Sequence, residues 1–148
     1  MKASRIIVAI FYLLTLSAAT VAAGEEYASV RSTKVAVATT AANGQRLSYL
    51  ATERPEVTAR IVEIPPGGET GWHLHDVPVY AYMIAGTISV EMGDGKSYRF
   101  KKGDAIFEVR ATSHNGRNPG RKWAKLLVFY TGEEGKPNVT RVDKPANR

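Results

Sequence analysis

The stretch VYAYMIAGTISVEMGDGKSYRFK, residues 79–101, determines the fold class. Two short runs rich in β-branched and aromatic residues, Val79–Ala85 and Thr87–Met92, are separated by a single glycine. The sequence GDGK at 93–96 then predicts a hairpin turn, because an Asp-Gly pair readily adopts the positive φ that such turns require. Residues 97–101 would form the returning strand.

The flanking sequence repeats this alternation of short strands and turns rich in glycine or proline. Further strands are predicted at 47–51, 57–64, 70–75, 105–109 and 125–130. No helical period is evident after residue 23, and turns at this spacing favour an all-β sandwich or barrel. We therefore predict one β domain over residues 45–133. Residues 24–44, where Val35 and Val37 alternate, would be an extension or an edge strand, and 134–148 a polar tail.

The first 23 residues, MKASRIIVAIFYLLTLSAATVAA, have the three-part pattern of a secretory signal peptide. Lys2 and Arg5 precede an apolar run at 6–16, and small residues follow up to Ala23. Cleavage after Ala23 would place the mature protein in the periplasm or outside the cell. The alternative is an uncleaved membrane anchor, because a spanning helix needs about 20 apolar residues. No later segment is long and apolar enough to span, so no stable membrane span is expected after cleavage.

Composition excludes several classes of protein. The chain has 148 residues, of which 44% are hydrophobic and 23% charged, as expected for one globular domain and not for a disordered chain. It has no cysteine, which excludes a disulfide scaffold, a cysteine-based zinc module and a cysteine nucleophile. Its net charge is +6, yet the adjacent basic residues form only isolated pairs, so no nucleic-acid partner is expected.

The three histidines of the chain, His73, His75 and His114, carry the chemistry. Residues i and i+2 of a strand project from the same face, so His73 and His75 form a natural pair of metal ligands. A third ligand would have to come from a distant strand, and His114 is the one imidazole that remains. The residues alone leave open the alternative of surface or hydrogen-bonded histidines.

Two stretches carry glycine and histidine at the spacing of a known family. They read Gly67-x5-His73-x-His75-x3-Val79-x6-Gly86 and Gly103-x5-Val109-x-Ala111-x2-His114-x3-Asn118. They resemble the two motifs of the cupin superfamily, in particular its small, single-domain, exported bacterial members of the type-2, quercetinase-like kind. The resemblance covers residues 61–129, about half of the chain, and implies a double-stranded β-helix, a jelly-roll-like barrel with inward-facing ligands.

The resemblance also implies a metal site, with one departure. His73, His75 and His114 match the family's ligands and would bind one divalent transition metal, which could be Fe, Mn, Zn, Ni or Cu. The family usually has glutamate where this chain has Val79, so its usual fourth ligand and base is missing. Some cupin dioxygenases work with three imidazole ligands, so this loss does not by itself exclude activity.

Other residues are candidates for roles around such a site. Glu69 and Tyr80 are candidate catalytic residues, although a surface role for Glu69 and a packing role for Tyr80 are the plainer readings. Glu108, six residues before His114, is a second carboxylate that could replace the missing glutamate, although a surface or hydrogen-bonding role is expected for it first. Asn118 should hold a loop, as in the family. The expected inward-facing apolar residues are Met83, Ile88, Val90, Phe107, Leu127 and Phe129.

Four functions are compatible with these expectations. The first is an exported metal-dependent dioxygenase, an oxidoreductase acting on a small molecule such as an aromatic compound. The second is a non-catalytic periplasmic protein that binds a metal or small ligand in the same cavity. Isomerase or hydrolase chemistry on a sugar or lactone ranks below these, and a purely structural role remains open. By resemblance, a homodimer formed through edge strands within residues 25–60 is expected.

Overall fold

The computed structural model describes residues 29–146, which form nine strands and no helix. The strands are β1 (Pro55–Ile64), β2 (His73–Leu74), β3 (Val79–Ala85), β4 (Thr87–Met92), β5 (Ser97–Lys101), β6 (Ala105–Phe107), β7 (His114–Arg117), β8 (Ala124–Glu133) and β9 (Thr140–Arg141). Within this described range, no helix is available that could cross a membrane. The predicted all-β class is confirmed.

The strands form two antiparallel sheets. The first has the order β1-β8-β3-β6 and the second the order β5-β4-β7-β2-β9. The main core contains buried residues from both sheets, among them Met83 and Val79 of β3 and Ile88 of β4. The sheets therefore enclose a common interior, as expected for a barrel or sandwich.

One glycine is required by this arrangement. Gly86 joins β3 to β4 with a φ of +75°, in the left-handed region that favours glycine. A Cβ at this position would lie 2.8 Å from both the carbonyl oxygen of Trp123 and the Cα of Ala124. No other residue fits there without moving the start of β8.

Strands β3, β4 and β5 have the bounds predicted from the sequence, whereas other predicted strands differ in length or are absent. The predicted strand at 47–51 is irregular, although Leu47 and Leu50 pack against the core clusters. The predicted strand at 70–75 shrinks to the two residues of β2. Strand β7 has the sequence HNGR, without a β-branched or aromatic residue, and forms because it pairs with both β4 and β2.

The ends of the chain depart from the predicted boundaries. The proposed signal peptide, residues 1–23, lies outside the described residues. Residues 29–44 contain no strand beyond an isolated bridge at Thr40, and Val35 and Val37 are exposed. The predicted polar tail contributes β9, which pairs with β2, so the β domain extends past residue 133.

The inward face of β8 is the opposite of the one expected. Met83 and Ile88 are buried as predicted, and Val90 packs against the core. Leu127 and Phe129, however, face outward, and the buried residues of β8 are Ala124, Leu126, Val128 and Tyr130. Because both faces of this strand are apolar, alternation cannot decide which face is buried. Phe107 is misassigned in the same way, since its neighbour Ile106 is the buried residue of β6.

Asn118 holds a loop, as expected. Its side chain is fully buried, and its Nδ2 donates to the carbonyl oxygens of Ile64 at 2.9 Å and Lys122 at 2.8 Å. Its Oδ1 accepts a hydrogen bond of 2.9 Å from the backbone N–H of Gly120. These bonds tie the turn before β8 to the end of β1.

Candidate metal centre

The fold brings the three histidines together. His73 on β2 lies directly opposite His114 on β7, and His75 follows β2 by one residue. The ring centroids are 4.4 Å apart for His73 and His114, 4.9 Å for His73 and His75, and 5.1 Å for His75 and His114. His75 and His114 are buried and His73 is half-buried. We call these residues the three-histidine cluster.

Each ring of the three-histidine cluster is oriented by the same kind of hydrogen bond. The Nδ1 atoms contact backbone carbonyl oxygens of Gly71 at 2.7 Å, Asn138 at 2.7 Å and Thr112 at 2.9 Å, for His73, His75 and His114 respectively. A carbonyl can only accept, so Nδ1 carries a proton in every ring. The proton of each neutral ring is thereby fixed on Nδ1, which leaves a lone pair on Nε2 available to a metal ion.

A fourth group, the carboxylate of Glu108, joins the three-histidine cluster. Glu108 follows β6, and its backbone N–H donates to the carbonyl oxygen of Val79 at 3.0 Å. Its Oε2 lies 3.0 Å from Nε2 of His75 and 3.2 Å from Nε2 of His114. The hydrogen-bonding role expected of Glu108 is therefore confirmed, and its partner is one of the three histidines. Its carboxylate offers the fourth ligand atom that Val79 cannot supply.

The signal for Glu108 was present in the sequence. Ile106 and Glu108 are two residues apart, so a strand places both on the same face. Ile106 is buried at 4% exposure, and the side chain of Glu108 is 20% exposed. An inward Phe107, as expected from the sequence, is incompatible with an inward Glu108, whereas the buried Ile106 places Glu108 toward the histidines.

The short contacts to Glu108 indicate a cation at this point. A neutral imidazole protonated on Nδ1 has an acceptor at Nε2, which would repel a carboxylate oxygen only 3.0 Å away. Either the rings are protonated or a metal ion lies between the atoms. Two ligand atoms each about 2.1 Å from one ion and about 90° apart are separated by about 3.0 Å. The ligand atoms of all four residues lie within 4.8 Å of one another, so this donor set fits a metal ion. We call it the four-residue site.

Without a metal, Glu108 and His114 form an ion pair. Burial would raise the pKa of the Glu108 carboxyl, but hydrogen bonds from His114 and His75 outweigh it and hold this pKa well below its usual range. Burial would likewise lower the pKa of His114, yet the bond to Glu108 raises it above the ordinary value. His73, which lacks this bond, has its pKa lowered to about 4 by burial.

The structure does not bring the two candidate catalytic residues to this site. The carboxylate of Glu69 is exposed and accepts a hydrogen bond of 2.7 Å from Nδ2 of Asn115. Tyr80 lies between the buried residues Val79 and Ala81 and so faces outward, where its ring packs edge-on against Phe107 with centroids 6.2 Å apart. Neither is part of the four-residue site.

A small cavity of about 60 Å³ adjoins the four-residue site. Besides the ligands, its polar lining residues are Thr70 and Tyr130. The remaining wall is apolar apart from the backbone of Gly116, and the side chains that form it are Val62, Ile64, Ile88, Val90, Leu126 and Val128. One water needs about 10–15 Å³ measured in this way, whereas a cavity that accepts benzene measures about 150 Å³. An aromatic ring therefore does not fit wholly inside this cavity.

Comparison with protein families finds a match for the central part of the chain. Residues 60–130 match the Cupin_2 model, described as a cupin domain. The chain is also 34% identical over 74 residues to two curated proteins of Diaporthe leptostromiformis, phomopsin biosynthesis cluster proteins C′ and D. The match covers 50% of this chain and 39% of each relative, so the chain spans about two fifths of the length of these relatives.

Solved structures share the same fold. The oxalate decarboxylase of Lactobacillus farciminis is 22% identical, with a TM-score of 0.51 over 58% of this chain and 26% of that protein. The DMSP lyase DddQ of Ruegeria pomeroyi is 20% identical, with a TM-score of 0.52 over 62% and 45%. The oxalate decarboxylase of Bacillus subtilis, described with Mn(II) centres, is 19% identical, with a TM-score of 0.52 over 58% and 24%.

Proposed function

We propose that this chain, whose residues 60–130 match a cupin domain model, is a cupin that binds one divalent transition metal at the four-residue site and uses it to oxidise a small molecule with O2. One observation carries the metal proposal: three Nε2 lone pairs and a carboxylate oxygen point at one place, with every Nδ1 held by a backbone carbonyl. Oriented imidazoles of this kind are typical of metal ligands.

The residues of the four-residue site would hold the ion and limit the number of coordination positions open to other ligands. Three neutral imidazoles and one carboxylate occupy four positions, and a six-coordinate ion keeps two for exogenous ligands. When bound, the metal would supply Lewis acidity and an adjacent binding place for O2 and substrate. The apolar wall excludes bulk water from the reacting groups.

The substrate proposed here is small. The resemblance to quercetinase-like proteins suggested an aromatic molecule such as a flavonol, and such a molecule exceeds the cavity of about 60 Å³. We therefore propose dioxygenase-type chemistry on a compound with only a few non-hydrogen atoms. Because Mn(II) is described for one fold neighbour, both Fe(II) and Mn(II) belong in the test.

The proposed dioxygenase activity is tested by O2 uptake. Protein loaded with Fe(II) or Mn(II) should consume O2 with at least one member of a panel of small 2-oxo acids, thiols and diketones, and not with phenols. His73→Ala, which removes one ligand, should reduce this rate by more than about 100-fold. Glu69→Gln, which changes a carboxylate outside the four-residue site, should retain it. Stoichiometric metal without O2 uptake across the panel would contradict the proposed oxidation.

That last outcome would favour the second candidate, a non-catalytic exported binder. The small volume of the cavity and the presence of a fourth protein ligand are the observations that support it. A binder of this kind would retain its metal through dialysis and would not turn over any member of the panel.

We also propose that the protein is a homodimer joined through the outer face of the first sheet. This face carries exposed apolar side chains on three neighbouring strands, which are Val57 and Ile61 on β1, Phe129 on β8, and Tyr82 and Ile84 on β3. The register places Phe129 between Ala59 and Tyr80. A contiguous exposed apolar patch is typical of an interaction surface.

Replacing Phe129 with arginine should therefore convert the dimer to a monomer. A charge at the centre of an apolar interface is costly to bury, whereas the same charge on a free surface is not. Light scattering after gel filtration should give twice the chain mass for the unaltered protein and the single chain mass for Phe129→Arg. Tyr49→Arg, at an exposed aromatic residue in the irregular segment before β1, serves as the control and should stay dimeric. A monomeric unaltered protein would contradict the proposal.

Finally, we propose that residues 1–23 direct export and are removed. The basic start, apolar run and small residues at 21–23 support this. The mass of protein recovered from the periplasm or medium should correspond to a chain that begins at Gly24.

A further inference from the structure

We propose that Arg60 and Tyr130 form a carboxylate-binding pair at the mouth of the metal cavity, so that the ligand is a small carboxylic acid. This inference rests on the proposed function in one respect, since it assigns the ligand of the same cavity. The pair lies outside the four-residue site and belongs to the first sheet, on β1 and β8.

The strand register places Arg60 on the inner face of the first sheet. Arg60 lies directly opposite Val128, and Val62 lies opposite Leu126. Directly paired residues of antiparallel strands project from the same face, and Val128 and Leu126 are core residues. Arg60 therefore follows Val62 and Ile64 along one inward-facing row, of which Val62 and Ile64 line the cavity. Arg60 is exposed, so the inner face meets solvent at this position.

Tyr130 is the diagonal neighbour of Arg60 on the same face. It lies two residues beyond Val128, is buried at 7% exposure and lines the cavity. Its ring centroid is 5.7 Å from that of His75. Because Arg60 and Tyr130 are diagonal neighbours on one face of paired strands, the guanidinium and the hydroxyl can donate to one anion.

The charge of Arg60 is not neutralised by a neighbouring carboxylate. Within the described residues, no carboxylate oxygen lies within 4.0 Å of its guanidinium. Val128 opposite Arg60, and Val62 next along its inward row, are aliphatic. A single unpaired cation beside an apolar cavity attracts an anion, and a guanidinium matches a carboxylate with two parallel hydrogen bonds.

Size and charge then narrow the ligand class. A divalent ion held by three neutral imidazoles and one carboxylate keeps one net positive charge, so both ends of the cavity favour negative or electron-rich groups. The volume of about 60 Å³ between them accepts a short apolar body. The ligand is then a short-chain monocarboxylate with its carboxylate at Arg60 and its other end toward the four-residue site.

The experiment compares propanoate with its neutral isostere propanamide, by calorimetric titration of Mn(II)-loaded and metal-free protein. Propanoate should bind more tightly than propanamide. Arg60→Gln should lower the affinity for propanoate at least about 10-fold, because a hydrogen-bonded charge pair is lost. Tyr130→Phe should lower the same affinity several-fold. Arg99→Gln, which removes the same charge from an exposed position on β5 of the other sheet, should leave it unchanged.

Two results would overturn the inference. One is an Arg60→Gln variant that binds propanoate as tightly as the unaltered protein. The second is propanamide binding equal to propanoate. An inward-pointing charge can also protect an edge strand such as β1 from pairing with other chains. In that case Arg60→Gln would aggregate while its soluble fraction kept full propanoate affinity, which again rejects the inference. Metal content is measured on every variant, so a failure of metal binding is distinguished from a failure of carboxylate binding.

Discussion

Replacing Glu108 with glutamine is expected to lower the affinity of the protein for its divalent metal by more than about 100-fold. Removing a residue that only hydrogen-bonds a metal ligand already lowers metal affinity about 10–100-fold, and Glu108 is placed as a ligand itself. Glutamine keeps the shape of the side chain but replaces the anionic carboxylate with a neutral amide, which is a weaker metal ligand. Competition against a chromogenic chelator measures the change.

The matched control is Glu69→Gln. Glu69 was the other carboxylate considered from the sequence, and it bonds Asn115 away from the four-residue site. Its variant should bind metal as the unaltered protein does. Circular dichroism of both metal-free variants should show the same β-rich spectrum. Equal metal affinity for Glu108→Gln and the unaltered protein would remove Glu108 from the ligand set and leave a three-histidine site.

The second large effect expected is a loss of metal affinity as the pH falls. In the metal-free protein, the ion pair with Glu108 outweighs burial and raises the pKa of His114, so this ring is protonated below that raised value. A metal ligand must be deprotonated, and binding therefore displaces the His114 proton. Affinity should rise about tenfold per pH unit below the raised pKa and level off above it.

The other ligands with shifted pKa values should not add to this dependence near neutrality. The pKa of His73 is lowered to about 4 by burial, so this ring is already neutral. Despite burial, hydrogen bonds from the histidines keep the pKa of Glu108 well below its usual range, so its carboxylate is already charged. Calorimetry near pH 6 in buffers of different ionisation enthalpy should detect release of a proton from His114. Affinity that does not change between about pH 5.5 and 8 would contradict the ion pair.

Within the four-residue site, the sequence predicts the three histidines as ligands but does not predict the position of Glu108. His73 and His75 share a face because they are two residues apart in an extended segment, and the motif spacing associates them with His114. Glu108 matches no motif position, and it reaches the site only because β6 pairs with β3 next to Val79. Its inward direction depended on the burial of Ile106, and two neighbouring apolar residues made that choice ambiguous.

Some strands of the fold are likewise predictable from the sequence and others are not. Strands β3, β4 and β5 are predicted with correct bounds because a tight turn and a single glycine fix both ends of each strand. Strand β7 has little intrinsic β propensity and forms through pairing with β4 and β2, while the two-residue β9 forms through pairing with β2, a partner distant in sequence. The contact of Asn138 with His75 arises in the same C-terminal segment, which the sequence alone indicates only as a polar tail.

The central claim is most directly tested by anomalous diffraction from crystals of the metal-loaded protein, with data collected on both sides of the absorption edge of the metal. We expect one strong peak per chain, about 2.0–2.2 Å from Nε2 of all three histidines and from a carboxylate oxygen of Glu108. A peak bound through Nδ1, a peak elsewhere on the chain, or no peak at the three-histidine cluster would contradict it.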